Sequence, residues 1–192
     1  MDKVAILLAD GFEPIEGLTV VDVLRRGRVD IATVSVMDGL TVTASRDIPV
    51  TCDVLFDDYD FGAAEWVVTP GGIPGVPNLR ADARVCRVLE DFMATRHVAS
   101  ICAAPSILAE LGLLEGRIAT CFPGFEKDFP AGVHPEENGV YVDGNLITAS
   151  GMGWSLPFAE EILKAVKGED AVRAVRKGLA LSLKAGRRPS LR

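Results

Sequence analysis

Histidine is nearly missing from this chain: its 192 residues include two, His97 and His134. The four cysteines, Cys52, Cys86, Cys102 and Cys121, show no C-x-x-C spacing. These scarcities argue against a zinc site and against a disulfide framework, and they fit free thiols in a reducing compartment. Basic charge is also short, with 20 Lys and Arg against 27 Asp and Glu and a net charge of −7. Phosphate backbones demand the opposite balance, so no nucleic-acid partner is expected. The apolar run near the start, Val4 to Ala9, is too short to span a membrane and has no cationic leader. No membrane partner is expected, and the cytoplasm is the default compartment. No phosphate-binding loop or metal motif stands out, so neither metal nor cofactor is expected. Repeats, low-complexity tracts and long linkers are absent too. The expectation is one domain over residues 1–185, followed by a flexible basic tail, 186–192.

What the chain does contain is an alternation of strand and helix signals. Lys3–Ala9 is an unbroken aliphatic run of the kind that forms a parallel strand buried on both faces. A helix is expected from Pro14, with proline in its favoured first turn and Gly27 as its stop. Strands follow at Ile31–Val36, Leu40–Ala44, Ile48–Cys52, Glu65–Thr69 and Val98–Ile101. The second and third of these suggest a hairpin around Ser45-Arg46-Asp47. Val85, Val88, Leu89 and Phe92 form the one-sided stripe of a helix lying on a sheet. A helix is expected over Ala103–Leu114, then strands at Ile118–Cys121, Val140–Val142 and Leu146–Ala149. Helices over Leu156–Val166 and Asp170–Lys184 close the chain, the last with Val172, Val175 and Leu179 inward. This pattern predicts an α/β fold, a three-layer sandwich with a mostly parallel sheet and helices on both faces. Sites in such folds lie at the carboxyl ends of the strands.

Three segments fall at those ends: Gly11 to Glu16, Pro70-Gly71-Gly72, and Ile101-Cys102-Ala103-Ala104-Pro105. Cys102 sits between a buried strand and a helix start, the cysteine counterpart of a nucleophile elbow, where a helix dipole favours thiolate. It reads equally well as a small buried core residue. Gly71 and Gly72 let the backbone approach a ligand, and with the N–H of Ala103 they would make an oxyanion hole. An ordinary strand-to-loop turn is the competing reading. A carboxylate at Glu16 or Glu13 could face the same crevice and move a proton. Spacing does not choose between them.

Taken together, these three segments resemble the ThiJ/PfpI superfamily, and within it the branch of the parkinsonism-associated protein deglycase and its bacterial YajL-like relatives. The similarity extends through Ser45-Arg46-Asp47, Phe122-Pro123 and Thr148-Ala149-Ser150-Gly151-Met152-Gly153. It implies a flavodoxin-like sandwich and a homodimer, for which the first helix, with Leu18, Val21 and Leu24, is the expected surface. It marks Cys102 as nucleophile and redox-sensitive thiol and Glu16 as its carboxyl partner. The backbone of Gly71, Gly72 and Ala103 would bind the anion, and Glu13, Phe122, Gly151 and Cys121 are candidate lining residues. Two departures narrow this picture. Phe122 stands where some members have a histidine, so a Cys-His dyad from that position is excluded. Ala103 stands where the intracellular-protease branch has histidine, which makes a protease reading weak.

The activity so implied is a cofactor-free, cysteine-dependent glyoxalase or deglycase acting on methylglyoxal-like carbonyls or their glycated adducts. The alternative is a redox-sensing, oxidative-stress-response or chaperone-like protein with Cys102 as an oxidisable switch. In either role Cys102 is expected to have the lowest thiol pKa of the four cysteines. Cys52, Cys86 and His97 are expected to be bystanders. Cys121 is expected in the core, with a resolving role as the sharper option, and His134 is a minor candidate near the site.

Overall fold

The computed structural model of the protein describes residues 3–131, 133 and 137–181. The expected tail, residues 186–192, and His134 lie outside them. The chain opens with β1 (Lys3–Leu8), α1 (Pro14–Arg26), β2 (Asp30–Ser35), β3 (Thr41–Ala44), β4 (Ile48–Thr51) and β5 (Val54–Leu55). It continues with β6 (Trp66–Thr69), α2 (Gly75–Ala81), α3 (Ala83–Thr95), β7 (His97–Ile101) and α4 (Pro105–Glu110). It closes with β8 (Val140–Asp143), β9 (Leu146–Ala149), α5 (Ser155–Lys167) and α6 (Glu169–Gly178).

Seven strands form one sheet in the order β5-β2-β1-β6-β7-β9-β8, parallel except where β8 pairs antiparallel with β9. The order runs outward from β1 and β6, so the loops after these two strands open at one edge of the sheet. Beside them lies the loop after β7. Strand alternation supplies both faces of the core. Val4, Ile6 and Leu8 of β1 pack with α1, α5 and α6, whereas Ala5 and Leu7 pack with α2, α3 and α4. The flavodoxin-like three-layer arrangement follows from these two apolar faces, each needing a helical cover.

Helix α1 begins as its sequence dictates. Glu13 occupies the N-cap and accepts a hydrogen bond from the Ile15 N–H, Pro14 opens the first turn, and Gly27 ends the helix. Val21 and Leu24, expected on a dimer surface, are buried in the protein's own core; Ile15 and Leu18 are the exposed apolar residues of α1. The β3–β4 hairpin forms a separate two-stranded sheet. It is tied to the loop after β1 by the bonds Gly11 N–H to Thr43 O (2.7 Å) and Ser45 N–H to Phe12 O (2.8 Å).

Several expectations need correction. Ile118–Cys121 is not a strand: the place beside β9 is taken by β8, and Thr120 is held instead by its N–H to the Thr148 hydroxyl at 2.9 Å. The helix expected over Ala103–Leu114 is cut to Pro105–Glu110 by the turn at Cys102 and by Gly112, whose φ of 71° ends it. Helix α2 is masked in the sequence by the two glycines and two prolines of residues 72–77. His97 opens β7, one residue before the expected start at Val98, with its ring stacked on Trp66 at 4.4 Å.

Candidate active site

Cys102 follows the last residue of β7 with φ at 66°, a left-handed conformation rarely adopted by a residue with a Cβ. Two hydrogen bonds hold it there. Its N–H donates to Ala149 O at 2.9 Å, and its carbonyl accepts from the Phe122 N–H at 2.8 Å. The strained turn lifts the side chain off the sheet, and Cys102 lines a cavity of about 360 Å³. Strain of this kind, held in place by the surrounding structure, is a mark of functional sites.

Glu16 is 1% exposed. Its Oε2 accepts the Gly71 N–H at 2.8 Å, whereas Oε1 is buried with no nitrogen or oxygen donor. Gly71 is the spacer between acid and thiol. A Cβ placed on it would lie 2.6 Å from Glu16 Oε2 and 3.0 Å from Cys102 Sγ, so this position has no room for a side chain. The Gly71 N–H is thereby occupied by Glu16, which corrects its expected place in an oxyanion hole. The amides of Gly72 and Ala103 face the Cys102 sulfur and favour its anionic form. Gly72 itself is packed with φ at 104°, and a Cβ there would meet Gly11 O at 2.4 Å.

Glu13 lines the cavity too, but its carboxylate is turned to the helix cap at Ile15. Phe122 forms part of the wall, and Gly151 stands behind it, its Cβ position 3.8 Å from Cys102 Sγ. Cys121 is wholly buried, in line with its expected core role, and does not line the cavity, which corrects its place among the lining candidates. The structure adds Arg46, Ile73, Phe125 and Met152 to the lining. Nothing local in the sequence assigns them there; they arrive through the docked hairpin, the loops after β6 and β9, and the segment between α4 and β8 that carries Phe125.

The electrostatics join Glu16 and Cys102 into one unit. Burial raises the Glu16 carboxyl from 4.5 to about 7, against the opposing hydrogen bonds from Cys102 and Gly71. The Cys102 thiol is also pushed up, by burial first and then by the Glu16 carboxylate, against the pull of the Ala103 and Gly72 amides. This reverses the expected lowering: the supporting helix starts only at Pro105 and is short, so its dipole is a weak opponent to desolvation. Burial raises the other thiols as well, Cys52 to about 11 and Cys121 to about 12, with Cys86 also upward. Both members of the pair favour their neutral forms, and near neutrality they come to share one negative charge. Such a pair can deliver a nucleophilic sulfur and an acid beside it. Among the described residues, no cluster of three His, Cys, Asp or Glu is arranged to hold a metal ion, and no helix is long and apolar enough to cross a membrane.

A family model described as the DJ-1/PfpI family matches residues 2–165. The chain is 33% identical over 182 residues to Protein DJ-1 homolog B of Arabidopsis thaliana, covering 94% of this chain and 40% of that protein. It thus spans about two fifths of that relative's length. It is 29% identical over 167 residues to a deglycase of Pyrococcus abyssi (strain GE5 / Orsay), covering 86% of this chain and 99% of that one. Its fold superposes on the oxidized form of Toxoplasma gondii DJ-1 with a TM-score of 0.89 and 28% identity, covering 95% and 100% of the two chains.

Proposed function

The chain belongs to the DJ-1/PfpI family, and on that premise we propose that it is a cysteine-dependent glyoxalase or deglycase acting on small reactive carbonyls or their adducts. The observation that carries this reading is the Cys102 sulfur held between the Glu16 carboxyl and the amides of Gly72 and Ala103. The similarity to an archaeal deglycase supports the same class.

With methylglyoxal the steps balance without any further redox partner. The sulfur adds to the aldehyde carbon, forming the S–C bond, and the carbonyl oxygen takes up the proton of the pair to give a hemithioacetal. The Gly72 and Ala103 N–H groups stabilise the oxygen as charge develops on it. The Glu16 carboxylate removes the proton from that carbon and an enediol forms. Return of the proton to the neighbouring carbon leaves a thioester of lactate. Water cleaves the thioester, so C1 has been oxidised and C2 reduced within one molecule. Glu16 fits this shuttle because its raised pKa lets it give and take a proton near neutrality.

The test is lactate formation from methylglyoxal by the wild type, Cys102→Ser, Glu16→Gln and Glu13→Gln. The first two variants are expected to lose turnover and the third to retain it. Turnover surviving in Cys102→Ser would overturn the thiol mechanism. A second reading, an oxidation-sensing thiol, draws on the same two amides, which would hold sulfinate oxygens as readily as a substrate oxyanion. Absent turnover together with ready sulfinate formation at Cys102 would favour it.

A further inference from the structure

The hairpin tip brings a positive charge to the cavity. Arg46 and the next residue, Asp47, both adopt left-handed backbone, with φ at 66° and 58°. L-residues with a Cβ disfavour this conformation, so two in succession need support from outside. The support comes from the loop after β1. Thr43 N–H donates to Asp10 Oδ1 at 2.7 Å, the Ser45 hydroxyl donates to Gly11 O at 3.1 Å, and the backbone bonds at Gly11 and Ser45 complete the clamp. The clamped loop is the one that leads into Glu13 and Glu16. Hairpin and thiol site are therefore one built unit, and Arg46 lines the cavity alongside Cys102, Gly72 and Ala103.

Arg46 is the only cationic residue in that lining, and among the described residues its guanidinium has no hydrogen bond or ion pair. The other charged groups there have partners: Glu13 caps α1 and Glu16 is bound to Gly71. A planar guanidinium with five free donors suits a carboxylate or phosphate. On a chain of net charge −7, a local cation is also what admits an anion to the cavity.

We infer that Arg46 anchors an anionic group of the substrate, so that the site prefers carbonyl compounds carrying a carboxylate or phosphate near the reactive carbon over neutral ones. This rests on the carbonyl-addition reading above, but alkylation of Cys102 tests the anchor without any turnover. Iodoacetate and iodoacetamide differ in charge and little else. Their relative rates at Cys102, read by peptide mapping, are compared in the wild type, Arg46→Asn and Arg46→Lys. Asparagine tolerates left-handed backbone, which preserves the hairpin tip.

The iodoacetate-to-iodoacetamide ratio is expected to fall about fivefold in Arg46→Asn, the scale of a solvent-exposed ion pair. It should recover in Arg46→Lys. In the wild type it should shrink at about 1 M salt, where charges are screened within ~3 Å. An unchanged ratio in Arg46→Asn overturns the anchor, even if methylglyoxal is turned over. A fallen ratio in a protein with no carbonyl turnover upholds the anion site and sinks the catalytic reading instead. Given turnover, kcat/KM for 4,5-dioxopentanoate against the phosphate ester of hydroxypyruvaldehyde, both α-ketoaldehydes, distinguishes carboxylate from phosphate. Arg46→Asn is expected to raise KM for the charged aldehyde and spare methylglyoxal; equal losses on both would count against the anchor.

Discussion

Glu16→Gln should make the protein more stable at alkaline pH while abolishing carbonyl turnover. The folded-state carboxyl titrates at about 7 against an ordinary value of 4.5, chiefly because it is buried. Between those values the folded chain holds a proton that the unfolded chain has released. Stability therefore declines as pH rises through this window, and the whole penalty is present above about pH 7. At ~1.4 kcal/mol per pH unit the rise corresponds to about 3 kcal/mol. Glutamine is uncharged throughout and can still accept the Gly71 N–H. The variant should accordingly gain nothing near pH 4 and up to about 3 kcal/mol near pH 8. In a chain of this size that is a Tm rise of roughly 6–12 °C. Urea denaturation of both proteins across the window is the assay. Two stability curves running parallel in pH, or a variant less stable than wild type at about pH 8, would show that Glu16 is not the desolvated acid inferred here.

Cys102 should be the first cysteine alkylated, ahead of buried Cys52 and Cys121, at a rate that climbs with a midpoint near 7, where the pair gives up its first proton. Glu16→Gln should move that midpoint upward, since the thiol then titrates alone and burial still opposes its charge; a midpoint unmoved by the substitution refutes the coupling. Gly72→Ala should cost about 3 kcal/mol or more, because its Cβ would collide with Gly11 O and Glu13 N at positive φ. Gly153→Ala, with nothing within 4 Å of the added Cβ, should stay within about 0.5 kcal/mol, and similar melting curves for the two variants would contradict the packing argument. A homodimer through Ile15 and Leu18 of α1 should give twice 20.5 kDa by light scattering, reverting to a single chain in Leu18→Glu; a wild-type mass of 20.5 kDa rejects it.

Much of this architecture was legible because it rests on local chemistry. The aliphatic runs at β1, β6 and β7 are strands on any reading, and proline at position 14 with glycine at 27 brackets α1. Cys102, Glu16 and the two glycines were legible as candidates for the same reason: each sits at a strand end or first helical turn. What escaped depends on distant partners. Residues 118–121 have strand-like composition, yet pairing beside β9 is decided by β8. The destination of the Gly71 N–H depends on where Glu16, 55 positions away, comes to rest. Arg46 joins the site only because the hairpin docks on the loop after β1. The upward direction of the thiol pKa escapes the sequence because desolvation and a neighbouring carboxylate are properties of the packed crevice, whereas a helix start is visible in sequence.

The elbow itself offers a measurement of stored strain. At an ordinary exposed helix position glycine is about 1 kcal/mol worse than alanine. At Cys102, with φ at 66°, the order should reverse, because left-handed backbone costs a residue with a Cβ roughly 1–2 kcal/mol and glycine almost nothing. Cys102→Gly and Cys102→Ala both remove the sulfur and its interaction with Glu16, so those losses cancel in the comparison. What remains is the backbone preference plus one buried methyl group, and the methyl works in alanine's favour by under about 1 kcal/mol. Cys102→Gly should therefore equal or exceed Cys102→Ala in denaturant stability. If alanine proves better by about 1 kcal/mol or more, the turn is not under the strain its φ implies. The case for an elbow that holds the sulfur out of the sheet would fall with it.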